Sequence, residues 1–540
     1  MHTNPLISIL TPVYNTEPGV LAEAVESVLQ QSYQRWQLCL VDDCSPNESV
    51  WAQLQQLATT DPRIFIQRRE TNGGIVAASQ DCAAMATGGI IALLDHDDLL
   101  HPSALKEIAR AFNEFDDVDY VYTDEDLINE AGKRVSPFFK PDWSPERFRG
   151  QMYTCHLSAF RKSLFDEVGG FREGFDGSQD WDLVLRITER ARRITHISRV
   201  LYHWRIGETS VLAGDHVKPY AYDSARKALQ EHCERIGIHG EVVELERRGH
   251  FRVKRHLVES PLVSIVIPTC GSRGIVGGQE RVMVEAAVQS VLERCTYENL
   301  EVVVVFDSHT PTAVLMNLRE VAGDRLRLLE WEKPFDFSAK CNLGAAYARG
   351  ERLVFLNDDI EVITPDWVET LLGFLQESDV GAAGAHLLFE DGRLQHGGHV
   401  HLNGAAGHLM FGQNPKSDKN RMALWLDREV AGVTAAAMMV RRDVFDEVGG
   451  FSPLFANNYN DVDFCCKVRS AGYRIIVTPH AQLYHFESVT RDPSVTPAET
   501  AAIQGRWLPQ LRRDPYYNPK HVGGLDSYPE PIAYPSRAYD

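Results

Sequence analysis

The 540-residue sequence lacks any run of about 20 apolar residues, the length that an α-helix needs to cross a bilayer. Its first residues, MHTNPLISIL, have neither the basic segment nor the long apolar run of a signal peptide. Basic residues are outnumbered by acidic ones, 55 against 75, and no basic patch for nucleic acid or anionic lipid is visible. We therefore expect a cytoplasmic protein that binds no nucleic acid and associates at most peripherally with the inner face of the cell membrane.

Cysteine is present in ten copies, but without a CxxC pair or the Cys/His spacing of a thiolate metal site. Cys465 and Cys466 are neighbours inside a helical pattern. This usage favours a reduced compartment over secretion and argues against metal–thiolate chemistry.

The second half of the chain repeats the first half in the same order. VSIVIPTCG (263–271) matches ISILTPVYN (7–15), and VFDEVGGF (444–451) matches LFDEVGGF (164–171). Other matching blocks lie between these, with similar spacing. Because each copy is long enough to form its own core, the pattern predicts a duplication of one domain and not a solenoid.

Each copy alternates short β-branched apolar runs with longer helical patterns, which predicts an α/β fold with a mostly parallel sheet covered on both faces. In such sheets, ligands bind beyond the carboxyl ends of the strands. The predicted organisation is a first domain at residues 1–210, a helical connector at 211–260, a second domain at 261–495 and an irregular tail at 496–540.

An acidic cluster follows one strand of the first copy, in the segment IALLDHDDLLHP. Asp95, His96, Asp97 and Asp98 end a run that is otherwise apolar, and carboxylates at i and i+2 of a strand end point to the same side. Leaving them ionised without a counter-ion is costly, and Mg²⁺ or Mn²⁺ resolves the conflict. The alternative is a helix N-terminus, where acidic residues suit the positive end of the helix dipole.

Three further polar clusters fall near the same sheet edge. They are VDDCS (41–45), FDGSQDWDLVLR (175–186) and LYHWR (201–205). Their order suggests a nucleotide-diphosphate site: a carboxylate for the base or ribose, a metal carboxylate, an acid that takes a proton and a late imidazole for the metal.

Together with SILTPVYN and NGGIVAASQDCAAMATGGIIALLDHDD, these motifs resemble glycosyltransferase family 2, which has the GT-A fold. The resemblance covers about residues 6–205 and returns over 262–491. The second copy, with FDFSAKCNLGAAYARGERLVFLNDD, resembles rhamnosyltransferases of bacterial O-antigen, the outer part of lipopolysaccharide, and of other surface polysaccharides. The resemblance implies two tandem GT-A domains, similar to bifunctional polymerases in which each domain adds a different sugar.

The resemblance also implies roles for residues of the first copy. Pro12 and Tyr14 belong to the nucleotide-binding strand motif. Asp43 is assigned to the nucleobase, Asp95 to the ribose and Asp97 to the Mg²⁺ or Mn²⁺ ion that bridges the diphosphate.

For catalysis, the resemblance assigns Asp180 as the general base that removes the proton of the acceptor hydroxyl, which gives inversion in one displacement. Asp182 is an alternative base, and Asp180 could instead cap the following helix. His203 is assigned as a further metal ligand, against the alternative of a buried structural histidine.

In the second copy the corresponding positions keep most of these residue types. Asn357 replaces Asp95, and Ser308 stands where Asp43 is found. The residues assigned by the resemblance are Pro268, Asp307 and Asp358 for the nucleotide, Asp359 and His485 for the metal, and Asp461 as the base.

Two other segments are candidates for ligand contacts. The glycine-rich stretch LQHGGHVHLNGAAGHLMFG carries His396, His399, His401 and His408, and imidazoles suit a zinc ion. Without cysteine or carboxylate among them, a flexible loop over donor or acceptor is the favoured interpretation.

The second candidate segment is FFKPDWSPERF (138–148) in the first copy. It could bring Lys140 and Trp143 to a sugar or a phosphate, because an aromatic ring can stack on a pyranose. An aromatic-rich segment is equally consistent with packing inside the domain.

The sequence therefore predicts a metal-dependent, inverting hexosyltransferase with two catalytic modules. Its donors would be dTDP- or UDP-sugars, with rhamnose suggested by likeness alone, and its acceptor a growing glycan such as a polyprenyl-diphosphate-linked oligosaccharide. One alternative is that one domain is a carbohydrate-binding or scaffold module without turnover. Another is a sugar nucleotidyltransferase, but TPVYNTEPG lacks the basic residues of a pyrophosphate loop.

Overall fold

The computed structural model describes residues 4–129, 131–206, 219–416, 424–486, 494–518 and 520. Each half of the chain forms one large mixed sheet with helices packed against it. Among the described residues, no helix is both long and apolar enough to span a membrane.

The sheet of the first half has the order β3-β2-β1-β4-β8-β6-β9-β5, with β7 paired to β6. Its strands are β1 (Ile7–Val13), β2 (Trp36–Asp42), β3 (Ile64–Arg68), β4 (Ile90–Leu93), β5 (Leu99–Leu100), β6 (Val118–Ile128), β7 (Arg134–Phe138), β8 (Ser158–Arg161) and β9 (Arg193–Arg205). Its helices are α1 (Pro18–Leu29), α2 (Glu48–Ala58), α3 (Gly74–Met85), α4 (Ala104–Glu114), α5 (Pro145–Gly150), α6 (Lys162–Glu167) and α7 (Gln179–Thr188).

The segment between the halves contains α8 (Pro219–Ile236) and an antiparallel hairpin of β10 (Gly240–Glu244) and β11 (Phe251–Arg255). The helix expected from PYAYDSARKALQEHCERIGI is present, and the charged stretch after it forms the hairpin. Leu229 and Cys233 of α8 are buried in one core cluster with residues of α7. The connector therefore packs on the first half of the chain.

The sheet of the second half has the order β16-β15-β12-β17-β24-β19-β25-β18, with β20 paired to β19 and β23 to β25. Its strands, with two small hairpins, are β12 (Val263–Thr269), β13 (Arg273–Val276), β14 (Gln279–Val282), β15 (Leu300–Asp307), β16 (Leu326–Trp331), β17 (Arg352–Leu356), β18 (Ile360–Val362), β19 (Val380–Leu388), β20 (Leu394–His396), β21 (His399–Leu402), β22 (Ala405–His408), β23 (Arg428–Glu429), β24 (Ala437–Arg441) and β25 (Arg474–His485). The helices are α9 (Met283–Arg294), α10 (Thr312–Ala322), α11 (Phe337–Tyr347), α12 (Trp367–Phe374), α13 (Arg442–Glu447), α14 (Asn460–Ser470) and α15 (Pro497–Arg512). The segment predicted as an irregular tail is thus helical over Pro497–Arg512, and a capping box of Thr496 and Glu499 begins this helix.

The two sheets have the same strand order, position by position, as the internal repeat predicts. In each sheet the first strand pairs in parallel with its two neighbours, β1 with β2 and β4, and β12 with β15 and β17. All seven residues of β2 and of β12 are buried, the pattern of a strand covered on both faces. The predicted α/β class with two copies of one fold is confirmed.

The histidine-rich segment of the second half is not the predicted loop. It forms strands β20, β21 and β22, and His396, His399 and His401 are each at most 3% exposed. The pattern HVHL places an apolar residue between histidines, and β21 pairs with β22 as a hairpin. Pairing of the strands satisfies their backbone hydrogen bonds, which a flexible loop would leave to water.

A network of buried charges joins the two halves. Arg255 of β11 contacts Glu146 of α5 (2.7 Å) and Glu377, which follows α12 (2.6 Å). Glu377 also pairs with Arg474 (2.8 Å), and Arg474 pairs with Glu429 (2.8 Å). The Arg255 side chain is 3% exposed and is shared by the two carboxylates, each of which also has a second partner, Arg149 for Glu146 and Arg474 for Glu377.

Replacing Arg255 by methionine is expected to lower the free energy of unfolding by up to about 3 kcal/mol, because two enclosed carboxylates lose their shared partner while each keeps one other arginine. Thermal unfolding of the full chain measures this. The control is Arg273→Met, which breaks an exposed pair with Glu280 and should cost at most about 1 kcal/mol. Equal shifts for the two variants would contradict the importance of the network.

The same network predicts a dependence of stability on pH. Burial acts to raise the pKa of Glu377, yet the guanidinium groups of Arg255, Arg149 and Arg474 lower it to about 2. A lowered carboxyl pKa stabilises the fold above the unfolded value of 4.5, and that contribution is lost as the pH falls towards 2. The difference in unfolding temperature between wild type and Glu377→Gln should therefore shrink over this interval, whereas a constant difference would exclude the linkage.

Candidate active site

The first acidic turn follows β2, at the edge where the parallel strands β1, β2 and β4 end. The buried Asp43 carboxylate accepts hydrogen bonds from the backbone N–H groups of Gly73 (2.9 Å) and Gly74 (2.8 Å) and pairs with Arg69 (3.0 Å). Gly74 has φ of +82°, a conformation that favours glycine. Asp43 thus fixes the NGG turn, and its contact with a nucleobase stays a prediction.

The other residues assigned to the nucleotide in the strand motifs lie at the same edge of each sheet. Pro12 pairs with Val41 near the end of β1, and Pro268 pairs with Val305 near the end of β12. Tyr14 directly follows β1 and is 49% exposed. Their positions agree with the predicted role, which stays a prediction.

A compact group of potential metal ligands lies where β4 ends. Ligand atoms of Asp95, Asp98 and His156 are within 4.8 Å of one another. Asp98 is fully buried and accepts hydrogen bonds from Tyr202 Oη (2.6 Å) and the backbone N–H of Arg205 (2.7 Å). Burial raises the pKa of Asp98 well above its usual range, and the charge of Asp95 raises it further. A divalent cation fits this donor set, because it would offset the negative charge that burial disfavours.

The structure brings Asp98, and not the predicted Asp97, to Asp95. β4 ends at Leu93, and the Asp98 N–H donates to the Asp95 carbonyl oxygen (3.3 Å) in a turn. In a turn, residues i and i+3 approach each other. The prediction of Asp97 rested on strand alternation, in which residues i and i+2 share a face. Asp98 has a ligand atom within 4.8 Å of those of Asp95 and His156, so the structure favours Asp98 as the ligand.

His156 is a site residue that sequence reasoning missed. Its ring stacks on Tyr202 (4.6 Å between centroids), and its Nε2 lies 4.0 Å from the Asp95 carboxylate. The fully buried Lys140 donates to the carbonyl oxygens of His156 (2.6 Å) and Thr154 (2.7 Å). The suggested contact of Lys140 with sugar or phosphate is therefore wrong, because its ammonium group is used to hold this backbone.

His203 is not part of the group around Asp95. Its Nδ1 lies 2.6 Å from the Asp126 carboxylate on the neighbouring strand β6. Side chains alternate along β9, and the rings on either side, Tyr202 and Trp204, are the ones that contact His156. The structure therefore does not support the assignment of His203 as a ligand together with Asp95.

Asp180 begins α7 beside the metal-ligand group. Its Oδ1 accepts a hydrogen bond from the backbone N–H of Trp181 (2.8 Å). Burial raises the pKa of Asp180, the neighbouring His156 opposes this, and Asp95 adds to it. Asp180 is therefore within electrostatic range of both His156 and Asp95, and a raised pKa suits a group that must accept a proton.

Asp182, the alternative base, has a structural role. It is fully buried and pairs with Arg186 (2.7 Å) and with Arg172. Two guanidinium groups hold its carboxylate oxygens inside the domain, away from an acceptor. The structure therefore favours Asp180 over Asp182.

In the second half, the late histidine does lie at the acidic turn. His485 Nε2 is 3.1 Å from the Asp359 carboxylate and 3.0 Å from Asn357 Nδ2. Asp358 accepts a hydrogen bond from the Thr269 hydroxyl (2.6 Å), and burial together with Asp359 raises its pKa to about 7. The structure thus brings together Asp358, Asp359 and His485, as the resemblance implies.

The two turns differ because one of them is longer. Leu99 pairs with His203 and Ile360 with His485, so the late histidines occupy equivalent positions. We count from equivalent residues of β4 and β17, the strands that pair with β1 and β12, to Leu99 and Ile360. Over this distance the first half has one residue more than the second. The extra residue moves the last carboxylate of the first turn, Asp98, to the Tyr202 side of β9.

Asp307, assigned to the nucleotide, forms a buried ion pair. Lys340 Nζ lies 2.7 Å from the Asp307 carboxylate and donates to the Thr269 carbonyl oxygen (2.7 Å). Burial lowers the pKa of Lys340, while Asp307 acts to raise it. Pro12 pairs with Val41 and Pro268 with Val305, so Asp307 occupies the position of Asp43, and the alignment that put Ser308 there is wrong. The Lys340 ammonium group holds Asp307, whereas the NGG turn holds Asp43.

Asp461 begins α14, in the position that Asp180 has in α7. The backbone N–H of Val462 donates to its Oδ1 (2.8 Å), and its Oδ2 is 3.8 Å from His399 Nε2. Each predicted base therefore lies near an imidazole, although the two histidines come from different elements. Strand pairing places Ala436 where the first half has His156.

The geometry defines a class: two mixed α/β units, each with carboxylates and an imidazole gathered at the carboxyl ends of its parallel strands and an aspartate at a nearby helix start. The sequence profile described as "Glycosyl transferase family 2" matches residues 8–169 and 264–449. The chain belongs to glycosyl transferase family 2, as the sequence motifs indicate.

Two relatives match almost the whole chain. An uncharacterized protein, y4gI, of Sinorhizobium fredii is 40% identical over 533 residues, which cover 96% of this chain and 58% of the relative. The O-antigen biosynthesis protein RfbC of Myxococcus xanthus is 34% identical over 521 residues, which cover 95% of this chain and 40% of the relative. The chain thus spans roughly half the length of these relatives.

Among solved structures, residues 1–349 of S. aureus TarS in complex with UDP-GlcNAc are similar to part of the chain. The sequence identity is 21%, the TM-score is 0.35, and the match covers 41% of this chain and 65% of the TarS chain.

Proposed function

We propose that this protein is a metal-dependent, inverting glycosyltransferase with two catalytic domains, at residues 1–210 and 261–495. It transfers sugars, rhamnose among the candidates, from dTDP- or UDP-sugars to a growing surface polysaccharide such as O-antigen. The observation that supports this proposal most directly is the group of Asp95, Asp98 and His156, with Asp180 in electrostatic range of it, in the first domain.

The metal-binding side chains of the two acidic turns suit Mg²⁺ or Mn²⁺. Such an ion would stabilise the negative charge that develops on the departing nucleoside diphosphate. In the first domain Asp95, Asp98 and His156 would hold the ion, and in the second domain Asp359 and His485. Asp97 and His203, assigned by the resemblance, are the less favoured candidates on geometric grounds.

Asp180 and Asp461 act on the acceptor. Each carboxylate accepts the proton of an acceptor hydroxyl while that oxygen bonds to the anomeric carbon and the bond from this carbon to the diphosphate oxygen breaks. Attack from the side opposite the leaving group inverts the anomeric configuration. Correct placement of such a base contributes roughly 10²–10⁴ in rate.

The name of one relative supports the proposed acceptor. RfbC is named for O-antigen biosynthesis, which supports a glycan acceptor, for example one linked to polyprenyl diphosphate. An acceptor of this kind is held at the inner face of the cell membrane. The proposal therefore includes a cytoplasmic enzyme that reaches the membrane peripherally.

Release of nucleotide from a panel of UDP- and dTDP-sugars, with Mn²⁺, with Mg²⁺ or with a chelator, tests this function. We expect at least one donor to be hydrolysed or transferred only when the metal is present. A nucleotidyltransferase would instead release pyrophosphate from a nucleoside triphosphate and a sugar 1-phosphate. That second outcome, without donor cleavage, would overturn the proposal.

A further inference from the structure

We propose that the second domain contains a separate binding site for a transition-metal ion such as Zn²⁺, formed by His396, His399 and His408 beside Asp461. It shares no ligand with the pair Asp359 and His485. It goes beyond the proposed function, which requires only the metal held at the acidic turns.

The three histidines converge from three short strands. One nitrogen of each lies within 4.8 Å of those of the other two, and the ring centroids are 4.8–5.4 Å apart. In a tetrahedral zinc site with metal–nitrogen bonds of about 2.0–2.1 Å, the ligand nitrogens lie roughly 3.3 Å apart. Only small side-chain movements therefore separate this arrangement from a metal site.

His399 provides an independent indication of a ligand. It is 3% exposed, and its Nδ1 has no hydrogen-bond partner among the described residues. Its other ring nitrogen, Nε2, lies 3.8 Å from Asp461 Oδ2, too far for a hydrogen bond, so Asp461 lies beside the three histidines without pairing with His399. A buried imidazole in this state is costly unless something else binds it.

His396 and His408 face each other through their Nδ1 atoms, 2.9 Å apart. One of the two must carry a proton in this contact, and a cation would take the place of that proton. Binding through His396 Nδ1 moves its proton to Nε2, which gives up the hydrogen bond from the Thr434 N–H (3.0 Å). The three bonds to the ion replace this one.

The ligand types also point to a transition metal. Three imidazoles suit Zn²⁺ and similar ions, whereas Mg²⁺ prefers oxygen ligands. Sites with three protein ligands leave a fourth position for water or substrate. Next to Asp461, an ion in this site would bind an acceptor hydroxyl and polarise it, so that its proton passes to the Asp461 carboxylate.

The sequence indicated these histidines as candidates for zinc, but it could not show which of them converge or that a carboxylate lies beside them. Asp461 is the carboxylate beside the histidines. In the sequence it is far from His408, because β23 and β24 lie between them. The glycines between the histidines also resemble those of a loop. Pairing of β21 with β22 brings His399 directly opposite His408.

Titration of the full-length, tag-free protein with Co²⁺ in excess Mg²⁺ tests the proposal, because Mg²⁺ occupies carboxylate sites and four-coordinate Co²⁺ has intense visible bands. We expect one equivalent of Co²⁺ to produce these bands and Zn²⁺ to abolish them. His399→Gln and His408→Gln should each weaken binding at least tenfold. The matched control is His401→Gln, a buried histidine of the same strand outside the group, which should bind Co²⁺ as the wild type does.

Absence of four-coordinate bands in the wild type would overturn the proposal, as would unchanged binding in His399→Gln. Melting curves show whether His399→Gln and His408→Gln are folded. If one of them is unfolded, Co²⁺ binding by the other tests the proposal. Because no sugar donor is used, failure here leaves the proposed transfer reaction untouched, and failure of transfer leaves this site untouched.

Discussion

Asp180→Asn is expected to reduce sugar transfer by the first domain roughly 10²–10⁴-fold, because asparagine keeps the shape of the side chain but cannot accept the acceptor's proton. Donor binding should be retained, so the loss should appear in kcat more than in KM for the donor. Product formation with the donor found in the nucleotide-release panel measures the effect.

Asp461→Asn is expected to have the same effect on the second domain. If both domains are catalytic, each variant loses a different product and the double variant loses both. If Asp461→Asn changes nothing while Asp180→Asn removes all transfer, the second domain is a binding or scaffold module. Unchanged transfer in both variants would contradict the assignment of the bases.

The internal repeat supplies a matched pair of controls for these two variants. Asp166 and Asp446 occupy equivalent positions in LFDEVGGF and VFDEVGGF, and both are exposed. Asp166→Asn and Asp446→Asn remove the same charge without touching either site. They should transfer sugar as the wild type does.

The second large effect is expected for Asp98→Ala, which should weaken Mn²⁺ activation of the first domain by more than about 100-fold. Loss even of a group that only supports a metal ligand typically costs 10–100-fold, and Asp98 is placed as a ligand itself. The measurement is the Mn²⁺ concentration that gives half-maximal transfer.

The neighbouring variant Asp97→Ala separates the two candidate ligands. Both residues lie in the same turn, but only Asp98 is brought to Asp95 and His156. The geometry predicts the larger effect for Asp98→Ala. A larger effect for Asp97→Ala would favour the sequence assignment and would mean that the turn rearranges when the ion binds.

The α/β class and the duplication could be predicted from the sequence, because repeated motifs and apolar runs indicate which segments form the core of each copy. The places of Asp180 and Asp461 in the first turns of helices could be predicted too, whereas their role as bases stays a prediction. These features are local, and the two copies support each other.

The ligand sets could not be predicted, because they depend on non-local geometry. His156 is a lone histidine ahead of a short strand and reaches the site only through pairing of β8 with β4. The one-residue difference between the acidic turns decides whether the late histidine or Tyr202 faces the last carboxylate. His399 lies 3.8 Å from Asp461 of α14, and His408 reaches His399 only through the pairing of β21 with β22.

The central claim is that each half of the chain holds one divalent ion with its own carboxylates. Electron paramagnetic resonance titration with Mn²⁺, in the presence of UDP and separately of dTDP, counts the nucleotide-dependent ions. Two such ions per chain are predicted for the nucleotide that binds, with one lost in Asp98→Ala and the other in Asp359→Ala. No nucleotide-dependent Mn²⁺, or a count unchanged by either substitution, would contradict the claim.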